Sequence, residues 1–151
     1  MFLRLLPPML CALPLPAMAQ DVPCDLYSGA EACVPVLACV GDKGLWFDGR
    51  AYGSGPGRIE GVLSDGITCT GTWKARNIFG LGQSDLYCGD RRQARIFYTD
   101  RDGSTGTATG GGRSSRGEVI KAWAGDAIGT YLARKNGQES LPCAGGDIPL
   151  G

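Results

Sequence analysis

Ile59-Glu60-Gly61-Val62-Leu63-Ser64-Asp65-Gly66-Ile67-Thr68-Cys69-Thr70-Gly71-Thr72-Trp73 is the stretch that decides the fold class. Two short runs rich in β-branched and apolar residues flank Ser64-Asp65-Gly66. Asp-Gly between such runs predicts a hairpin with a tight type I′ turn, whose central residues need positive φ. Ile67, Cys69, Gly71 and Trp73 alternate with Thr68, Thr70, Thr72 and Lys74, so one face carries the cysteine and the tryptophan and the other carries threonines. The pattern is that of a β-strand with one buried side.

The hairpin closes a longer unit that recurs. Cys39-Val40-Gly41-Asp42-Lys43 opens the first copy, which passes an aromatic pair at Trp46-Phe47 and ends at Trp73. Cys88-Gly89-Asp90-Arg91 opens the second, which passes Phe97-Tyr98 and ends on Val119-Ile120-Lys121-Ala122-Trp123 at nearly the same interval. Matching punctuation predicts two related antiparallel β-modules, at about residues 37–74 and 86–124, followed by a C-terminal segment 125–151. From Gly57 to Trp73 the spacing of Gly57, Asp65-Gly66, Gly71 and Trp73 resembles a single MORN-type unit, with Cys69 where that family has tyrosine. The resemblance implies a glycine-punctuated hairpin and carries no function.

Residues 1–19 are expected to lie outside the fold. Arg4 gives a positive start, an apolar run follows, and Ala17-Met18-Ala19 offers a small-x-small cleavage site, so the run reads as a signal peptide cleaved after Ala19. Pro7, Pro8, Pro14 and Pro16 break the run, and no later stretch has the ~20 apolar residues a membrane helix needs. The expected location is the periplasm or the extracellular space. Residues 20–151 then form one domain. Without Arg4 its charges nearly balance, with 14 Lys plus Arg against 15 Asp plus Glu, so no bulk field draws it to nucleic acid. Cys24, Cys33, Cys39, Cys69, Cys88 and Cys143 remain, an even set in an exported chain, and predict three disulfides that supplement a lean core. Cys69 with Cys88 is the favoured pair, since the two flank a hairpin bent around Gly80-Leu81-Gly82.

The remaining segments give shorter readings. Residues 20–35 read as an N-terminal strap tied by disulfide. Val34 to Val40 reads as a strand, and Leu45-Trp46-Phe47 as another, ended by Asp48-Gly49. Ala94 to Thr99 predicts a strand, Thr105 to Thr109 an edge strand, and Gly110-Gly111-Gly112 a mobile or tightly bent turn. Ile128, Tyr131 and Leu132 share a helical face between an Asp126 N-cap and an Asn136-Gly137 stop, which predicts one short helix. From Gln138 the chain reads as loop, pinned by Cys143.

The chemistry is bounded by an absence. The chain has no histidine, which removes the imidazole base, the histidine metal ligand and the neutral-pH switch. Oxidised cysteines remove thiolate catalysis and zinc–thiolate sites. Asp42, Asp48, Asp65, Asp90, Asp102, Asp126 and Asp147 each adjoin a glycine, which is turn chemistry rather than an acid–base pair. Asp100-Arg101-Asp102-Gly103 lacks the outer carboxylates of a calcium loop, and Gly106–Gly112 lacks the Lys-Ser/Thr of a phosphate loop. No metal, cofactor or catalytic set is therefore expected. Arg91, Arg92, Arg95, Arg113 and Arg116 form the candidate contacts for an anionic ligand. Trp73 and Trp123 are read as core anchors.

The expected fold is all-β: a small disulfide-stabilised antiparallel β-sandwich or barrel-like domain. In size and composition it is similar to the small disulfide-bonded β-barrels that inhibit lysozyme, without a shared motif. The expected function is that of an exported, non-enzymatic binding protein whose partner is a protein or an anionic glycan. The alternatives are a carboxylate-dependent periplasmic hydrolase and a purely structural envelope component.

Overall fold

The structure, a computed structural model, describes Cys24 and residues 32–150. The expected leader, residues 1–19, and most of the expected N-terminal strap lie outside the described residues. Eight strands, β1 (Cys33–Val40), β2 (Leu45–Tyr52), β3 (Gly57–Leu63), β4 (Thr68–Lys74), β5 (Gly82–Cys88), β6 (Gln93–Arg101), β7 (Ala108–Ser114) and β8 (Val119–Ala124), pair in sequence order as antiparallel neighbours. β1 also pairs with β8, from Val36 opposite Ala124 to Val40 opposite Ile120. The sheet therefore closes into a barrel rather than splitting into two layers, and Thr109 belongs to a fully paired strand, not to an edge. Helix α1 (Ile128–Asn136) and a hairpin of β9 (Ser140–Cys143) and β10 (Gly146–Pro149) complete the chain.

Alternation in each strand sends one set of side chains inward. Val36, Val40, Phe47, Ile59, Leu63, Leu86, Ile96 and Ile120 form the buried interior, with Trp73 and Tyr98 packed against it. A second cluster lies on the outer wall, where Cys39 and Trp123 meet Ile128, Leu132, Leu141 and Cys143. β1 is thus buried on both faces, which is why its sequence is continuously apolar where other strands alternate. The two tryptophans that end the sequence copies face opposite sides of the wall, Trp73 inward and Trp123 outward. The spans read from sequence as two copies fall on β1–β4 and β5–β8, and the residues that mark them are not equivalent in place.

Glycine sets how closely the strands wrap. Gly49 and Gly61 are register partners, and the Phe47 ring lies over both: a Cβ would stand 2.4 Å from Phe47 Cζ at Gly49 and 2.5 Å at Gly61. Hence β2 runs through Asp48-Gly49 to Tyr52 instead of stopping there. The triple glycine is likewise strand interior, not a mobile turn. A Cβ at Gly110 would meet the Phe97 carbonyl oxygen at 2.1 Å, and one at Gly112 the Arg95 oxygen at 1.8 Å. Only residues without side chains permit that approach between β6 and β7.

Three disulfides join Cys24 to Cys33, Cys39 to Cys143 and Cys69 to Cys88. The last is a direct cross-strand pair of β4 and β5. Cys39–Cys143 holds the C-terminal hairpin on the outer wall, so the tail is a strand pair rather than a loop. α1 ends at Gly137 with φ 78°, as its sequence predicts, but its N-cap is Ala127 and not Asp126.

Candidate functional site

The two ends of the barrel differ. At one end, three connections share a three-residue design: Ser64-Asp65-Gly66, Gly89-Asp90-Arg91 and Ser115-Arg116-Gly117. In each, the last strand residue accepts a hydrogen bond from the third loop residue and donates its own N–H to the residue after the loop. The third residue is left-handed: Gly66 at φ 92°, Arg91 at 67°, Gly117 at 81°. One positive φ per loop identifies a turn with a terminal bulge, which replaces the type I′ turn expected at Asp65-Gly66. Asp65 and Asp90 each accept the N–H two residues on, at 3.2 and 3.0 Å, as turn aspartates do.

This end is plugged by an ion-pair network. Arg92, 6 % exposed, places Nη2 3.2 Å from Asp90 Oδ2 and Nε 3.2 Å from Glu118 Oε2. Arg116 Nη2 lies 3.1 Å from the same Asp90 oxygen, and Ser114 Oγ donates to Glu118 Oε2 at 2.6 Å. The backbone N–H of Arg92, then the guanidinium charges of Arg92 and Arg116, hold the Asp90 carboxyl below its ordinary range. A shallow cleft of about 700 Å³ borders the network, with Lys43, Leu45 and Lys121 on its wall.

The five candidate arginines therefore do not converge. Arg92 and Arg116 meet at the plug and are engaged by Asp90 and Glu118. Arg95 and Arg113 face each other across β6 and β7 on the outer wall. There Arg95 Nε binds Asp85 at 2.5 Å, and Arg113 Nη1 donates to the Gly117 carbonyl at 3.3 Å. Arg91 stands exposed at its turn.

The opposite end is an open mouth of about 700 Å³. Val34, Val36, Ala51, Ala108 and Ala124 make an apolar wall, with the Trp73 indole and Tyr98 among them. Small residues in the upper wall leave this space unfilled. Trp73 Nε1 is already committed, donating to the Tyr52 carbonyl at 2.8 Å. Tyr98 is not. Its hydroxyl is buried without a hydrogen-bond partner among the described residues. Burial pushes its pKa up; buried Ser84 is near enough to oppose that shift, but no hydrogen bond of sound geometry joins them. Charges of both signs stand on the rim: Lys74, Arg76 and Arg101, with Asp100 and Asp126.

Two ordered loops frame the mouth. In the β6–β7 loop, Asp102 accepts from the backbone N–H groups of Ser104 and Thr105 and from both their hydroxyls. Those bonds, led by the Ser104 hydroxyl, hold its carboxyl far below the usual range. In the β4–β5 loop, Asn77 Oδ1 accepts from Phe79 N at 2.8 Å and Leu81 N at 3.1 Å. Sequence reading missed the mouth because its wall comes from seven strands and no local motif marks it. The small residues Ala51, Ala108 and Ala124 at strand ends, with the aromatic Tyr98 among them, were the available signal.

Among the described residues, no group of three or more potential metal ligands occurs, and no helix is long and apolar enough to cross a membrane. No protein-family model and no curated protein matches the chain. Two solved structures are similar in shape. One is a de novo designed fluorescence-activating β-barrel, at TM-score 0.48 and 15 % identity over 62 % of this chain and 89 % of that one. The other is a redesigned β-barrel, mFAP0, bound to DFHBI, at TM-score 0.47 and 18 % identity over 62 % of this chain and 94 % of that one.

Proposed function

We propose that this chain is an exported, non-enzymatic binding protein that holds a small amphipathic molecule in the barrel mouth. The observation that carries the reading is the open mouth walled by Val34, Val36, Ala51, Ala108 and Ala124 beside Trp73, with Tyr98 in that lining and its hydroxyl without a hydrogen-bond partner among the described residues. An unsatisfied buried hydroxyl costs stability, about 1–3 kcal/mol, and phenylalanine would fill the same space without that cost. A ligand with a hydrogen-bond acceptor above an apolar body would satisfy it. The body would lie on the valine and alanine wall beside Trp73, and the mixed rim charges suit a neutral or zwitterionic polar end. Three disulfides fit an oxidising, exported environment.

The test is Tyr98→Phe beside Ala108→Phe, which fills the mouth. The apolar dye anilinonaphthalene sulfonate serves as probe, and molecules extracted from the natively exported protein are identified by mass spectrometry. The reading expects one saturable dye site on the native protein, lost in Ala108→Phe. It also expects a copurifying molecule that is depleted in Tyr98→Phe while that variant melts higher when empty. No saturable site and no copurifying molecule, with the variant indistinguishable from wild type, would overturn it.

A further inference from the structure

The β4–β5 loop presents Ile78 at 92 % exposure and Phe79 at 78 %, side by side at its tip. The loop is built rather than loose. Asn77 accepts two backbone N–H groups, its own N–H donates to Leu81 O at 2.7 Å, and its side-chain amide donates to Gln83 Oε1 at 3.2 Å. An ordered turn that holds two large apolar side chains in water has no folding reason to do so. Lys74 and Arg76 flank the tip at the end of β4, and residues 75–81 contain no acid. Arg76 makes no ion pair among the described residues, and the Asp85 that feels Lys74 is already bound to Arg95. Of the rim acids, Asp100 and Asp126 stand on β6 and after β8, and the Asp102 carboxylate is taken up by Ser104 and Thr105.

We infer that this loop docks the barrel mouth onto an anionic lipid surface, Ile78 and Phe79 entering the acyl boundary while Lys74 and Arg76 meet the headgroups. Apolar residues at a tip with cations directly behind them match the layering of a membrane interface. This is surface attachment, reversible and shallow, and it stands whether or not the mouth holds a ligand.

Flotation with vesicles tests it. Wild-type protein floats with equimolar phosphatidylglycerol–phosphatidylcholine vesicles at low salt and loses most of that binding at about 0.5 M salt, where screening is short-ranged. Ile78→Ser with Phe79→Ser weakens binding by roughly a hundredfold, each side chain contributing about a factor of ten. Lys74→Glu with Arg76→Glu removes the preference for anionic lipid. Val62→Ser, an exposed apolar residue on the outer wall, leaves binding unchanged. All four substituted positions in the loop variants are exposed, and equal melting temperatures check that the variants fold. No flotation at millimolar lipid, equal binding to neutral vesicles, or an unaltered Ile78/Phe79 variant would each overturn the inference.

Discussion

The indole nitrogen of Trp73 donates to the Tyr52 carbonyl oxygen at 2.8 Å, reaching from β4 over β3 to the end of β2. Gly57 lies beneath this bond. A Cβ there would meet Tyr52 O at 1.9 Å and Trp73 Nε1 at 2.9 Å. Gly57→Ala is expected to destabilise by about 3 kcal/mol or more, because two backbones and an indole would have to move apart. Trp73→Phe should cost about 1–3 kcal/mol through the lost hydrogen bond and packing. Urea unfolding of each variant measures both; a Gly57→Ala protein as stable as wild type would disprove this account of the wall.

Arg91 occupies at φ 67° the position that Gly66 and Gly117 hold in the sister turns. A side chain there carries a left-handed backbone penalty that exceeds the flexibility glycine adds to the unfolded chain. Arg91→Gly should raise stability by roughly 0.5–1 kcal/mol. A lower melting temperature would show that the arginine side chain contributes more than its backbone costs.

Cys39–Cys143 closes the longest loop of the three, at a sequence separation of 104. Replacing both with serine should cost about 2–5 kcal/mol. Because Leu141, Ile128 and Leu132 pack around that bridge, protection in α1 and β9–β10 should fall first. Hydrogen exchange resolves it: loss spread evenly over the barrel would contradict a local tether.

Stability should fall on acidification. For Asp85, burial opposes ionisation and is outweighed by hydrogen bonds from Arg95 and Gln83, so its pKa is lowered. Asp90 and Asp102 are lowered as well. A carboxyl whose folded pKa is depressed stabilises above its unfolded value, about 3.9, and that contribution drains away as pH drops below it. Melting temperature should be level near neutrality and decline below about pH 4, with a shallower decline in Asp102→Asn. Tyr98 works at the other end of the scale: burial opposes its ionisation and raises its pKa, so it adds no pH dependence below about pH 10, and stability falls as pH rises beyond that and the unfolded chain ionises first. Tyr98→Phe should therefore blunt the alkaline loss and leave the acid limb unchanged.

Much of the barrel was legible because its strands alternate and its turns carry Asp and Gly at fixed offsets. The β3–β4 hairpin, the α1 face at Ile128 and Leu132, and the Cys69–Cys88 pair rest on local patterns of that kind. The misreadings share another origin. Gly110-Gly111-Gly112 is written like a flexible turn, and only the carbonyls of Arg95 and Phe97 on the neighbouring strand show why side chains are absent. The arginines were countable, but convergence depends on which wall each strand presents: Arg92 lies buried at the barrel end while Arg95, three residues on, lies outside. The mouth was least legible, since Val34, Ala51, Trp73, Tyr98 and Ala124 come together only once the sheet closes.

Because β1 pairs with β8, the first strand has no final neighbour until nearly the whole polypeptide is available. Cooperative closure must then wait for the late strands, the slow regime of long-range pairing. A chain cut short before Val119 would therefore leave β1 with an open edge and the ring unsealed, whatever the condition of the strands between.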